Sequence, residues 1–316
     1  MKISFIVTIL NEKKNIGKFL RSVVDQSRKA DEVIIVDGGS SDRSVAKIKS
    51  EKLKIKNYNG KFKIIIKRGN RSVGRNEAIK NAKNEIIACS DAGCILDRNW
   101  IRNIIEPFDN PKIDVVAGYY KGKPSNAFEK CIIPYFLVMQ DKTDPNNFLP
   151  ATRSMAFKKS IWEKVNGFPE EFSNNEDYVF AQRLRKIKAK IFFQEKAIAY
   201  WLPKKNLEEA LIAFYRFALG DAEARIFRRK VGLLFLRYFL ALIVLIIFFI
   251  TNSIFFLYVL IVLGIFYILW AIIKNFKYPK SIASVYYLPL IQITSDLIII
   301  MGTVRGFLSF RNTNVK

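Results

Sequence analysis

EVIIVDGGSSDRS, residues 32–44, decides how the rest of the chain is read. Val33–Val36 are four apolar residues in a row, the mark of a short buried strand. That strand runs into Asp37, two glycines and two serines. A strand that ends on a carboxylate, before a loop with almost no side-chain bulk, has two readings. Asp37 caps the helix that follows, as Asp and Ser commonly do, or it faces a ligand that approaches the backbone closely. The pattern recurs nearby. Ile3–Ile9 reads as a strand with Asn11 and Glu12 just beyond it, and Glu85–Ser90 as a strand that stops at Asp91. Lys63–Lys67 is a further strand. Between the strands, Ile16, Phe19, Leu20, Val23 and Val24 mark one helical face, and Ala78, Ile79 and Ala82 mark another on a helix over Ser72–Ala82. Strands alternating with helices predict a Rossmann-like α/β domain with a mainly parallel sheet, where ligands bind beyond the carboxyl ends of the strands. Glu12, Asp37 and Asp91 at three such ends favour the ligand reading over three independent caps.

Composition narrows the chemistry. Among 316 residues, 52 Lys and Arg face 28 Asp and Glu, a net charge of +24. Such a surplus suits polyanions: phosphorylated substrates, anionic membrane lipids or nucleic acid. Nucleic acid is disfavoured, because the basic residues are not interleaved with aromatics in a recognisable motif. Histidine is absent, which removes the Ser-His-Asp triad, the HExxH zinc site and any His base. Acid–base work must fall to Asp, Glu, Lys, Arg, Tyr or the backbone. Cys89, Cys94 and Cys131 form no CxxC and read as reduced, buried thiols of a cytosolic compartment. Residues 1–10 are too short an apolar run for a signal peptide and read as a strand.

Near residue 231 the composition changes. Leu233–Ile250 is almost wholly apolar, with Arg237 close enough to one end to snorkel, and Ile254–Ile273 is twenty residues without a charge. Only Thr251, Asn252 and Ser253 separate them, so the pair predicts a membrane hairpin spanning about 233–250 and 254–273. Arg225, Arg228, Arg229 and Lys230 precede it, and Lys274, Lys277 and Lys280 follow it, which predicts cytoplasmic flanks. In residues 281–304, Gln292, Asp296 and Thr303 share one helical face and Pro289 interrupts. This stretch is a third span, or a re-entrant, interfacial or hairpin-packed helix. The tail charges Arg305, Arg311 and Lys316 tilt against a simple span. Leu207, Leu211, Phe214 and Ala218 recur at helical spacing, giving an amphipathic helix that lies on an anionic leaflet or packs on a core. The division is therefore 1–203, an α/β domain; 204–230, an interfacial helix and basic linker; and 231–316, an α-helical membrane region.

Taken in order, FIVTILNE, VIIVDGGSSD, GRNEAIKNAKNEIIACSDAG and NNEDYVFAQRLR resemble the inverting family 2 glycosyltransferases of GT-A fold, over roughly residues 1–203. The resemblance implies transfer of a sugar from a UDP- or GDP-linked donor, with inversion. Thr8, Asn11 and Glu12 would line the nucleotide pocket, and Asp37 would read the base or ribose. Arg71, Arg75 and Asn76 would sit near the diphosphate; independently, arginines flanking a helix N-terminus near Ser72 make an anion site. Asp91 matches the first position of the family's Asp-x-Asp metal motif, but Gly93 replaces the second. Asp91 would then anchor Mg²⁺ or Mn²⁺ alone, beside the diphosphate, with Arg71 and Arg75 sharing the charge.

Glu176 and Asp177 open a helix whose face is Val179, Phe180, Leu184 and Ile187. Acids there also simply complement the helix dipole. The resemblance makes Asp177 the general base, with Glu176 orienting the acceptor, and a base suits a hydroxyl better than an ionised lipid phosphate. Tyr215-Arg216 and Gly220-Asp221 match a segment of membrane-anchored relatives expected to close the acceptor side. Trp201, Lys204 and Lys205 are candidate acceptor or diphosphate contacts. The whole predicts a multi-pass cell-membrane enzyme with a cytoplasmic catalytic domain and a lipid-linked or membrane-proximal acceptor. The alternative is an inactive accessory or scaffold of a membrane glycan pathway, with Gly93 in its favour. A processive synthase fits less well, because no Gln-x-x-Arg-Trp segment is found. Donor identity and oligomeric state are not legible.

Overall fold

The computed structural model describes residues 1–54 and 61–313, with side chains for 1–51 and 61–308. The side chains of Arg311 and Lys316 lie outside the described residues. In chain order the elements are β1 (Ile3–Ile9), α1 (Ile16–Val24), β2 (Glu32–Asp37), α2 (Ser44–Lys54), β3 (Lys61–Ile66), α3 (Arg71–Lys80), β4 (Ile86–Cys89), β5 (Cys94–Leu96), α4 (Trp100–Ile105) and β6 (Val115–Gly122). They continue with α5 (Ala127–Phe136), β7 (Met155–Lys158), α6 (Lys159–Lys164), α7 (Glu176–Lys186), β8 (Ile191–Trp201), α8 (Leu207–Glu223), α9 (Arg229–Thr251), α10 (Ile254–Phe276) and α11 (Ser284–Thr313). The chain divides into two compact units: residues 1–123 with 137–202, and residues 124–136 with 203–316.

The first unit holds one eight-stranded sheet in the order β3-β2-β1-β4-β7-β6-β8-β5. β2 and β4 flank β1 in parallel and β3 pairs parallel with β2. β2 is buried throughout, as its apolar run predicts. The register Ile9↔Asp37 brings the ends of β1 and β2 level, so the loops beyond them share one edge of the sheet. The other half is mixed: β7 runs antiparallel to both β4 and β6, and β5 antiparallel to β8. β5 and β7 are three and four residues long, too short to show a period in the sequence. Under the edge, Ile34, Val36, Ile87, Phe157, Phe168 and Phe180 share one core. Phe168 stacks on Phe180 of α7 with ring centroids 4.0 Å apart, and each such buried ring contributes about 1.5–3 kcal/mol. That packing fixes where α7 begins. Leu184 joins it, whereas Ile187, expected on the same face, caps the helix and is exposed.

The second unit is helical. α9 and α10 have 23 residues each, enough for roughly 34 Å at 1.5 Å per residue, and Asn252 turns between them with φ 46°. α9, α10 and the 284–308 part of α11 are long and apolar enough to cross a membrane. α11 runs unbroken through Pro289. Among buried residues, the hairpin contributes Leu234 from α9 and Ala271 and Asn275 from α10.

Two expectations change here. The apolar stripe of α8, offered to a leaflet by one reading of the sequence, is covered: Ala210 and Phe214 pack with Phe128, Cys131 and Ile132 of α5 and with Leu288 and Ile291 of α11. A Cβ on Gly302 would lie 2.7 Å from the Tyr215 carbonyl, and one on Gly306 2.6 Å from Ala222 Cβ. Residues 215 and 222 thus meet 302 and 306 in the same order, so the two helices run side by side, closed by small residues. Arg237 does not snorkel away from its helix; it donates to Asp296 of α11 at 2.7 Å. Asp221, from the matched Gly-Asp pair, accepts both forks of Arg228 at 2.5 and 2.9 Å.

Candidate active site

Two groups of predicted residues line the carboxyl edge of the first unit's sheet. At the β1–β2 end, Asp37 is 2% exposed. Its Oδ2 accepts from the Gly39 and Ser40 amides at 3.2 and 3.0 Å, and its Oδ1 from Ser40 Oγ at 2.5 Å. The carboxylate therefore shapes its own loop, the capping-type role that the sequence left open. Ser40 Oγ accepts in turn from the Asn11 amide at 2.8 Å, and Asn11 Oδ1 accepts from the Ser41 amide at 2.9 Å. The Glu12 amide donates to Ser44 Oγ at 2.8 Å. Asn11 adopts φ 57° to do this, a conformation Asn tolerates better than most residues. The two loops are thus stitched into one polar rim. Thr8 lies behind it: a Cβ on Gly74 would come within 2.7 Å of Thr8 Cγ2, so Thr8 is the seat on which α3 rests.

The second group is charged. α3 starts at Asn70, whose side chain accepts from the Val73 amide at 3.1 Å. One turn in, Arg75 is 3% exposed. It donates through Nη1 to Glu176 Oε1 at 2.6 Å, and through Nη2 to Asp91 Oδ1 at 3.1 Å and Thr152 Oγ1 at 3.0 Å. Its guanidinium also lies over the Phe168 ring at 5.4 Å. One arginine thus joins the end of β4 to the start of α7. Arg71 is exposed at the helix start and close enough to influence Asp91. Asn76 corrects the expectation placed on it. Its Oδ1 accepts from Trp162 Nε1 at 3.0 Å and the Phe168 amide at 2.9 Å, while Nδ2 donates to the Phe168 carbonyl at 2.9 Å and Glu170 Oε1 at 2.8 Å. All four hydrogen bonds an amide can make are made, so Asn76 clamps the loop before α7 and has nothing left for a diphosphate.

Residues the sequence did not single out complete the group. Arg153 precedes β7 in a turn held by Ser90 Oγ, which donates to the Arg153 carbonyl at 2.7 Å. Its guanidinium lies over Tyr120 at 5.5 Å and over Trp201 at 5.9 Å. Trp201 thus stands at this site, under Arg153. Burial opposes charge on Asp91, but Arg75, Arg71 and Arg153 together hold its carboxyl below the usual range. Asp177 moves the other way. Burial raises it first and the neighbouring Glu176 charge second, only partly offset by Arg153 and Arg75. Two carboxyls pushed apart in proton affinity are the usual basis for separate roles, one ionised anchor and one proton acceptor. Burial pushes the Cys89 and Cys94 thiols up to about 12, and all three cysteines are free and buried.

Among the described residues, no group of three or more His, Cys, Asp or Glu side chains is placed to hold a metal. Asp91 is nevertheless ionised and its side chain 38% exposed, and a Cβ on Gly93 would meet nothing within 4 Å. A hard cation needs about six oxygens. The site fits one only as a cation shared between Asp91 and the oxygens of a bound diphosphate.

A model of glycosyl transferase family 2 matches residues 4–165, just over half the chain. That stretch includes Asp37, Arg75, Asp91 and Arg153 and stops short of Glu176. The chain is 26% identical over 230 residues to the poly-beta-1,6-N-acetyl-D-glucosamine synthase of Staphylococcus epidermidis, covering 70% of this chain and 55% of that one. It is 29% identical over 192 residues to the poly(ribitol-phosphate) beta-N-acetylglucosaminyltransferase TarP of Staphylococcus aureus, covering 57% and 56%. The chain thus spans about half the length of these curated relatives. Among solved structures, the mannosyltransferase PcManGT of Pyrobaculum calidifontis, in complex with GDP-Man and Mn²⁺, superposes with a TM-score of 0.55 at 15% identity, covering 70% of this chain and 62% of that one. Staphylococcus aureus TarS 1–349 with UDP-GlcNAc gives 0.52 at 20% identity, covering 70% and 66%. Both likenesses concern the fold, a GT-A-like sheet.

Proposed function

This chain belongs to glycosyl transferase family 2 and is a glycosyltransferase; we propose that it moves a sugar from a UDP- or GDP-linked donor to a hydroxyl of a lipid-linked or membrane-proximal acceptor, with inversion. The observation that carries the reading is the Arg75 bridge between Asp91 and Glu176, with Asp177 beside it as the carboxyl of raised proton affinity. In the proposed displacement the acceptor oxygen attacks the anomeric carbon and its proton passes to Asp177. The bond from that carbon to the diphosphate breaks, and its electron pair leaves with the diphosphate. Arg71 and Arg153 are the cations this chain offers to that charge, while Arg75 keeps Asp91 and Glu176 in place. A divalent cation, Mg²⁺ or Mn²⁺, held by Asp91 together with diphosphate oxygens, would neutralise the leaving group further. Two relatives carry N-acetylglucosamine in their names, which makes UDP-GlcNAc the first donor to test.

In this reading α9 and α10 span the cell membrane and both their charged flanks stay in the cytoplasm, with the catalytic unit. α11 lies at the cytoplasmic interface instead of crossing. Two observations support that. Its side-chain bonds to the hairpin involve Arg237, Tyr238, Tyr267 and Lys274, all on the cytoplasmic-side halves of α9 and α10. Its companion along the Gly302–Gly306 stretch, α8, carries Glu208, Glu209, Arg216, Asp221 and Glu223, charges that hydrocarbon does not accommodate.

Sugar transfer from a panel of UDP- and GDP-sugars to membrane lipid extract, with Mn²⁺ or EDTA and with Asp177→Asn alongside, tests the reading. Product from one donor, lost in Asp177→Asn, supports it. Absence of product from every donor, in a folded protein supplied with extract from its own source, would favour the accessory-protein alternative.

A further inference from the structure

Two arginines of the catalytic unit are held in opposite ways. Arg75 gives its Nη donors to the protein, where Glu176, Asp91 and Thr152 accept them. Arg153 gives none. Among the described residues its guanidinium makes no hydrogen bond or ion pair, although Asp91 and Asp177 stand close enough for their charges to act on it. What holds it is two ring faces, Tyr120 at 5.5 Å and Trp201 at 5.9 Å.

The sheet builds this seat. β6 and β8 run parallel, and their register shifts after Gly118: Gly118 pairs with Gln194, but Tyr119 pairs with Ile198. One step along β6 therefore matches four along β8, an odd excess that reverses the phase of the side chains between the two strands. Tyr120 then stands opposite Ala199, and Trp201, two residues further along β8, falls on the same face. An unshifted register would set the two rings on opposite faces. Phe148 packs on the Tyr120 ring at 5.8 Å between centroids, and Tyr119 stacks on it at 6.0 Å. The backbone around Arg153 is fixed as well. Ser90 holds the Arg153 carbonyl. The next residue, Ser154, accepts from Trp100 Nε1 at 2.7 Å and donates to the Ala197 carbonyl at 2.9 Å. Only the direction of the Arg153 side chain is left for the rings to decide.

The difference between the two arginines has a chemical meaning. A carboxylate orients an arginine but occupies its donors and offsets its charge. An aromatic face attracts the guanidinium through the ring quadrupole and leaves its N–H donors unengaged. Packing of the arginine stem alone would not keep the head group itself over two rings with two carboxylates nearby. Arg71, likewise without a hydrogen bond or ion pair among the described residues, acts on the same Asp91. Two unengaged guanidinium groups near one carboxylate suit an anion that binds beside it.

We propose that Tyr120 and Trp201 are positioning residues for Arg153, holding its guanidinium by the face so that its N–H donors meet the diphosphate of the sugar donor. This rests on the reading of the site as a nucleotide-sugar site, and adds to it which residues aim the cation.

Full-length protein in detergent is titrated with UDP, and separately with GDP, in EDTA, and kcat is measured with the donor that the panel identifies. Tyr120→Leu and Trp201→Leu each remove a ring and should weaken nucleotide binding and lower kcat about three- to thirty-fold. Tyr120→Phe and Trp201→Phe keep a ring and should restore most of the nucleotide affinity. A merely structural role would lower Tm and cost the same in any background, so a double-mutant cycle decides. Arg153→Met should itself weaken binding about ten- to a hundred-fold, and in that background the ring removals should change affinity and kcat no further. The cycle is run at both rings, so either variant that folds is sufficient. Ring removals that cost as much beside Arg153→Met as in the wild type, or that leave wild-type values, overturn the proposal while the donor reading stands. A wild-type protein that binds neither UDP nor GDP and turns over no donor overturns the donor reading, and the role of the rings falls with it.

Discussion

In the catalytic unit, Arg75 and Arg153 stand among Asp91, Glu176 and Asp177; in the helical unit, Arg237 and Lys274 stand around Asp296. Each set is anchored by an arginine that shares a carboxylate and rests on an aromatic ring. Each meets a desolvation cost, the greater for Arg75, whose side chain is almost wholly buried. The surroundings differ. In the first set Asp177 is buried beside Glu176, and burial first and that neighbouring charge second raise its proton affinity. In the second, one carboxylate, Asp296, gathers donors from α9, α10 and α11. A carboxylate crowded by other carboxylates is equipped to take up a proton, whereas one surrounded by donors joins the helices that carry them. The parts are alike, and what surrounds the carboxylate assigns its work.

Experiments can break this contrast at several points. The largest effect is expected at Asp177. Asp177→Asn removes the proton acceptor with little change in volume, and turnover should fall on the order of 10²–10⁴-fold with donor binding retained, read by single-turnover transfer beside donor titration. If donor binding falls in parallel, Asp177 is not specialised as the base. Next is Arg75→Met, which leaves Glu176 buried without its cation and should cost about 3–5 kcal/mol, visible in denaturant or thermal unfolding.

A pH profile sharpens the comparison further. Asp177 accepts a proton only when ionised, so kcat/KM should fall as pH drops through its pKa, and that limb should lie above the usual aspartate value of about 3.9. Arg153 lowers this pKa; Arg153→Met should therefore move the limb to higher pH. A limb that stays in place would detach Arg153 from the base. The smallest effect is Gly93→Asp. Nothing within 4 Å obstructs a side chain there, so stability should change by no more than about 0.5 kcal/mol, while added carboxylate oxygen should lower the Mn²⁺ concentration needed for half-maximal rate. A large loss of stability would show that the space beside Asp91 is not open.

What the sequence disclosed follows from the range of the interactions involved. Val33–Val36 and the strand ends at Asp37 and Asp91 were legible because a buried strand writes its burial into consecutive residues. The start of α7 was legible because Phe180 and Leu184 repeat one turn apart behind Glu176 and Asp177. Arg153 was not legible: it sits in a turn with no period, and its place depends on β7 pairing with β4 and on Ser90, 63 residues away. Nor was α5. Its partners in the helical unit lie far downstream, with Tyr135 donating to the Leu288 carbonyl 153 residues later. The polar face of α11 could be read from Gln292, Asp296 and Thr303, but not that Arg237 would be its counter-ion. Asn76 was misread for a related reason: a motif gives a residue's identity, whereas only the surrounding loop reveals that its amide is already occupied.

Arg75 also ties the two halves of the site together. A single guanidinium touches both Asp91, on the proposed donor side, and Glu176, next to the proposed base. In the proposed reaction a donor seated beside Asp91 draws on the same cation that holds Glu176, so the donor and acceptor sides are coupled through one side chain, without a moving lid.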